Sequence, residues 1–148
     1  MSVARVPDCI FCEVIAGRLP GSFVHRDDLV VAFLDTKPVN EGHLLVAPVR
    51  HVERLADLDE GSASRVWQIG RLLAGVLASS GLRGEGLNLV VNDGVAAQQT
   101  IAHFHLHVLP RFAGDGFGYR FPPGYGKLRE RQTLDALADR LAALVPPA

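Results

Sequence analysis

Apolar positions recur along this chain with two periods. In residues 62–78, Val66, Ile69, Leu72, Leu73, Val76 and Leu77 follow at steps of three and four, which predicts one amphipathic helix. Residues 133–144 repeat that spacing through Leu134, Leu137, Leu141 and Leu144, predicting a C-terminal helix. Residues 10–16 suit a short helix that Gly17 ends. Residues 29–34 (LVVAFL), 43–47 (HLLVA) and 87–91 (LNLVV) are compact apolar runs of strand length. Between the first two, residues 35–42 contain Pro38, Asn40 and Gly42, a turn-rich link that predicts an antiparallel pair. Residues 92–99 read as a loop around Gly94, and residues 101–109 as a further strand ending at Pro110. Strands outnumber crossover helices, so the expected class is α+β, an antiparallel sheet of about five strands flanked by helices.

Composition narrows the setting. A chain of 148 residues with 48% hydrophobic and 21% charged residues suits one globular domain spanning residues 1–148. Fifteen Lys and Arg balance sixteen Asp and Glu, so no overall field points to nucleic acid or an anionic membrane as partner. Residues 1–7 lack a signal peptide's apolar run, and no stretch nears the roughly 20 apolar residues of a membrane span. The expectation is a cytoplasmic protein with no membrane partner. The two cysteines, Cys9 and Cys12, form one C-x-x-C, which suits metal or redox chemistry rather than a secreted disulfide framework.

Six histidines are present, and His103, His105 and His107 alternate with Phe104, Leu106 and Val108. A two-residue period turns the three imidazoles to one face and the apolar side chains to the other. Such a row could be an exposed strand face or an all-histidine metal site. It also gathers groups that act as nucleophile, proton donor or ligand near neutral pH, and three in register point to function.

The segment Gln99-Thr100-Ile101-Ala102-His103-Phe104-His105-Leu106-His107-Val108 resembles the H-x-H-x-H signature of the histidine triad superfamily. Its continuation Leu109-Pro110-Arg111-Phe112-Ala113-Gly114-Asp115 is most similar to the fragile histidine triad branch, and the likeness reaches upstream through residues 8–16, 31–51 and 87–94. The resemblance implies a nucleotide hydrolase or transferase in which His105 attacks the α-phosphorus and forms a nucleotidyl-histidine intermediate. Such a nucleophile must be a neutral imidazole with one nitrogen free. His107 would contact the phosphate and leaving group, Gln99 and Thr100 would donate hydrogen bonds to phosphate oxygens, and His43 would support the triad. Asp35 matches the position that holds the ribose hydroxyls, beside its reading as a turn aspartate. Asn92 matches a residue facing the phosphates, beside its reading as part of an Asn-Asp-Gly turn. Substrates implied are dinucleoside polyphosphates or nucleoside phosphoramidates, with water or phosphate as acceptor and no catalytic cofactor.

The resemblance also implies a structural zinc on Cys9, Cys12, His51 and His103, two thiolates and two imidazoles suited to a tetrahedral site. A redox pair or free thiols are the alternatives. One departure concerns the phosphate loop, where Gln98 stands in place of the family's usual glycine and bears on substrate preference. The resemblance implies a homodimer with one continuous sheet, and Trp67 beside the stripe of residues 62–78 suits either an interface or the core. Residues 114–127, with Phe117, Tyr119, Phe121 and Tyr125, are expected to form a loop bordering the site. The rival to an enzyme is a nucleotide-binding sensor or interaction protein that uses the same pocket with little catalysis.

Overall fold

The computed structural model describes Val6 and residues 8–147, so most of the N-terminal stretch weighed above as a leader lies outside the described residues. The chain divides into two compact units, Met1–Phe117 and Gly118–Ala148. The first begins with α1 (Ile10–Ile15), then β1 (Phe23–Arg26), β2 (Val30–Leu34) and β3 (Leu44–Pro48). The long helix α2 (Glu60–Ser79), β4 (Gly86–Val91) and β5 (Leu106–Arg111) complete it. The second carries α3 (Arg131–Ala142).

The strands form one five-stranded sheet in the order β1-β2-β3-β5-β4, with every neighbouring pair antiparallel. The α+β class expected from the sequence is therefore observed. Two clusters cover the sheet's faces. On one, Val66, Ile69, Leu73 and Leu77 of α2 pack with Val30, Ala32, Leu44, Val46, Leu106 and Val108. On the other, Phe11, Cys12 and Ile15 of α1 pack with Val31, Phe33, Leu45 and Ala47. Burial on both faces is why β2 and β3 read as continuous apolar runs instead of alternating ones.

α2 starts where Asp59 caps it, its carboxylate accepting from the Ser62 N–H at 2.9 Å. Its predicted stripe splits. Val66, Ile69, Leu73 and Leu77 are buried, whereas Leu72, Val76 and Trp67 are exposed. None of the described helices is long and apolar enough to cross a membrane.

Two elements differ from expectation. β1 is a short edge strand whose sequence FVHR has no apolar run, and its residues are half-buried or exposed in turn. The strand expected over residues 101–109 starts later, at Leu106, and continues through Pro110 to Arg111. Residues 101–105 are irregular backbone, pinned where the Phe104 N–H donates to the Val52 carbonyl at 2.7 Å. β3 accompanies β5 only as far as Val108. Beyond that point Pro110 has a ladder on one side alone, where a missing N–H is tolerated.

Candidate active site and metal centre

Although the regular strand begins only at Leu106, the alternation of residues 103–108 survives. Phe104, Leu106 and Val108 enter the core beneath α2. His105 and His107 lie together on the other face with ring centroids 4.7 Å apart. Phe11, between the two cysteines, meets His103 and His105 edge-on at 5.9 and 5.1 Å. This aromatic wall was not singled out in the sequence, and its only signal there was its place inside C-x-x-C.

Partners at each imidazole determine which nitrogen bears the proton. The His103 carbonyl can only accept, so His105 Nδ1, 2.8 Å from it, is the donor. The lone pair of the neutral ring is therefore at Nε2, which has no protein partner among the described residues. His43 is oriented the opposite way: the Val39 N–H donates to its Nδ1 at 3.2 Å, leaving the proton on Nε2. That proton is donated to His107 Nδ1 at 2.9 Å, so His107 in turn carries its proton on Nε2. This atom is buried and has no hydrogen-bond partner among the described residues. Buried polar groups are seldom left in that state. A free nucleophilic nitrogen thus stands beside an N–H awaiting an acceptor.

The surroundings favour the neutral form of these rings. Burial lowers the pKa of His105 and His43, against opposing contributions from the His103 carbonyl and Asp35 respectively. Burial, followed by the neighbouring His105 and His43, lowers His107 to about 4. His25, the remaining histidine outside these clusters, is occupied elsewhere in a hydrogen bond with the Asp27 carboxylate at 2.8 Å.

Asp35 lies at the end of β2, with Oδ2 3.7 Å from His43 Nδ1. Its Oδ1 accepts from the Lys37 N–H at 2.8 Å, so its role in the turn is real and leaves the other oxygen toward the histidines. Asn92 follows β4 and is half-buried. Asp93, not Asn92, ties this turn down, accepting from the Leu55 N–H at 3.2 Å. Gln99 uses both ends of its amide within the protein. Its oxygen accepts from the Gly94 N–H at 2.7 Å, and its nitrogen donates to the Glu53 carbonyl at 2.9 Å. Gln99 therefore braces the loop, and its second amide hydrogen is the one left for a ligand. Thr100 is exposed beside it. Gln98 takes the left-handed conformation, φ 65° and ψ 30°, which glycine adopts with less strain than a residue with a side chain.

Cys9, Cys12, His51 and His103 converge although up to 94 residues separate them. Cys9 Sγ and Cys12 Sγ lie 3.5 and 3.7 Å from His103 Nδ1, and Cys12 Sγ lies 3.4 Å from His51 Nδ1. A tetrahedral zinc with ordinary bond lengths separates sulfur and nitrogen ligands by about 3.6 Å. His103 Nε2 donates to the Pro48 carbonyl at 2.9 Å, which turns the Nδ1 lone pair to the sulfurs and supplies the outer hydrogen bond usual for a ligating imidazole. Burial, then the Cys9 thiol beside it, pushes the Cys12 thiol up to about 11. Two adjacent buried sulfurs of this kind become thiolates when a cation lies between them. The donor set fits zinc in both spacing and chemistry.

Of the sequence-predicted residues, the histidines and Asp35 meet in one cluster and the four metal candidates in another. His103 links them, facing the cysteines through Nδ1 and His105 through its carbonyl.

A family model described as the HIT domain matches residues 16–114. The chain is 42% identical over 115 residues to an uncharacterized HIT-like protein of Borreliella burgdorferi, covering 76% of this chain and 82% of that one. Its fold is similar to the crystal structure of a HIT family protein from Bacillus subtilis, with a TM-score of 0.86 and 30% identity over 95% of this chain and 99% of that one. It is also similar to a Zn-bound histidine triad family protein from Mycobacterium smegmatis, with a TM-score of 0.71 and 33% identity over 92% and 97% of the two chains. Matched across most of its length in sequence and in fold, the chain belongs to the HIT family.

Proposed function

We propose that this protein cleaves a nucleoside monophosphate from a dinucleoside polyphosphate or a nucleoside phosphoramidate through a nucleotidyl intermediate on His105. Membership of the HIT family carries nucleotide hydrolase or transferase activity in general. The observation that carries the finer reading is the pair of opposite tautomers, a free Nε2 on His105 beside an unpartnered Nε2–H on His107.

In the first step the His105 Nε2 lone pair bonds to the α-phosphorus while the P–O or P–N bond to the leaving group breaks. The electron pair departs with that group, which takes its proton from solvent, and the acceptor of the second step returns one to solvent. The His105 Nδ1–H, already on the His103 carbonyl, stabilises the positive charge that the ring acquires. The His107 Nε2–H donates to the phosphoryl group or the departing atom, where charge accumulates. Water or phosphate then attacks the phosphorus, the P–N bond to His105 breaks, and the nucleotide leaves. Asp35 accepts hydrogen bonds from the ribose hydroxyls, and Asn92, Gln99 and Thr100 face the phosphates.

Cys9, Cys12, His51 and His103 would hold one zinc. When bound, zinc supplies a structural crosslink, since four protein ligands complete its coordination. The same reading includes a cytoplasmic homodimer paired through α2 and a sheet edge, supported by the exposure of Trp67, Leu72 and Val76 on one helix.

The test is turnover of diadenosine polyphosphates and adenosine phosphoramidate, with and without phosphate, by wild type and His105→Asn. The expected result is turnover by wild type, a denaturant-quenched nucleotidyl adduct, and loss of about 10³-fold or more in the variant with nucleotide binding retained. Nucleotide binding without turnover of any member would favour the sensor reading.

A further inference from the structure

At the far end of β5 from His105 lies a second polar assembly that the triad chemistry does not use directly. The Asp115 side chain is only 3% exposed. Arg111 grips it with two parallel bonds, Nε to Oδ2 at 2.6 Å and Nη2 to Oδ1 at 2.8 Å. The backbone N–H groups of Phe117 and Phe112 also donate to it, at 3.1 and 3.4 Å. Arg111 is itself fixed by Asn88 Oδ1 and the Phe117 carbonyl, both at 2.5 Å. Such a planar, fully engaged pair is a rigid anchor rather than a loose surface ion pair.

Asn40, 75 residues earlier, joins this anchor. Its Nδ2 donates to Asp115 Oδ2 and to the Pro110 carbonyl, each at 2.8 Å, spending both amide hydrogens. Asn40 belongs to the link between β2 and β3, which has no ladder of its own. Its carbonyl accepts from the His43 N–H at 3.1 Å. The residue before it, Val39, supplies the N–H to His43 Nδ1. The two backbone groups that set the place and the tautomer of His43 are therefore adjacent in sequence, and the Asn40 side chain pins them.

We propose that Asn40, anchored by the Arg111–Asp115 pair, is a positioning residue that holds His43 as the Nε2–H tautomer and thereby keeps the proton of His107 on Nε2. The chain of contacts runs from Asp115 to Asn40, from the 39–40 backbone to His43, and from His43 to His107. Without the Asn40 tie the Val39 N–H is free to leave His43 Nδ1, and the His43 proton divides between the two nitrogens. His107 then loses its fixed donor and presents a proton to substrate only part of the time. The inference rests on the proposed role of His107, but its first readout needs no substrate.

The experiment is a two-bond ¹H–¹⁵N imidazole correlation spectrum of the whole protein, comparing wild type, Asn40→Ala and Asp115→Asn. Expected are Nε2–H signatures for His43 and His107 and an Nδ1–H signature for His105 in wild type. In Asn40→Ala the first two become tautomer averages while His105 is unchanged, and kcat falls about tenfold with KM within about twofold. Asp115→Asn keeps the side-chain volume, weakens the anchor, and gives a smaller shift of the same kind. Unchanged His43 and His107 tautomers in both folded variants would overturn the proposal and leave the assembly a loop tie. A tautomer shift in a protein that turns over no member of the nucleotide panel would sustain the positioning and refute the function.

Discussion

His43 Nε2, just before β3, and His107 Nδ1, on the adjacent β5, lie 2.9 Å apart, the first donating to the second. This bond fixes one ring through the other, and it makes the two side chains a single unit in both stability and chemistry. His43→Phe keeps a ring in the buried slot but strips His107 Nδ1 of its donor. An unsatisfied buried acceptor costs about 1–3 kcal/mol, and a misplaced proton donor lowers catalysis by about 10²-fold. Urea unfolding and kcat measured on the same samples check both numbers. A loss of kcat with unchanged stability would mean that the bond forms only with substrate present.

Acid should lower the stability of the fold through His107. Burial, with His105 and His43 close by, lowers His107 from 6.5 to about 4, so between those values the unfolded chain binds a proton that the folded one refuses. Stability is consequently full above about pH 6.5, falls as pH drops below it, and stops falling on this account near pH 4. The loss approaches about 3 kcal/mol for this group alone. Unfolding at pH 7, 5.5 and 4.5 should show a smaller decline in His107→Asn than in wild type. Equal declines would assign the acid sensitivity to other groups.

Metal analysis should find one zinc per chain. Cys12→Ser, or removal of metal by a chelator, uncouples α1 from His51 and His103 and lowers the melting temperature by about 10 °C. Alkylation of Cys9 and Cys12 in metal-free protein, but not in zinc-loaded protein, provides a second readout. Absence of zinc together with a reversible disulfide would return the C-x-x-C to a redox role.

Gln98 holds a left-handed backbone without being glycine. Gln98→Gly should stabilise the protein by up to about 1 kcal/mol, the strain relieved being offset by greater freedom in the unfolded chain. Urea midpoints check the sign. Because Gln98 directly precedes the brace at Gln99, kcat/KM compared across the nucleotide panel then measures how far this residue sets substrate preference.

Much of the fold could be read in the sequence because burial leaves a periodic trace. α2, β2, β3 and β4 fall within two residues of the expected boundaries. The misses have physical reasons. β1 is an edge strand with little to bury, so FVHR carries no apolar run. The irregular 101–105 segment keeps the alternation of a strand because its two faces are buried differently, yet its backbone bonds to Val52 instead of to a ladder. Leu72 and Val76 belong to the helical period but lie outside the face that meets the sheet.

At the site, the sequence by itself determined which side chains share a face, since the two-residue period of an extended chain is local geometry and sends His103, His105 and His107 one way and Phe104, Leu106 and Val108 the other. Tertiary structure alone decided what each imidazole can do. The proton position on His105 depends on the carbonyl of His103, that on His43 on the amide of Val39, and that on His107 on His43. The sulfurs facing His103 come from the opposite end of the chain, and the tie on Asn40 from a carboxylate 75 residues away. Hydrogen bonds act over about 3 Å of space, and only the folded chain brings these donors and acceptors that close.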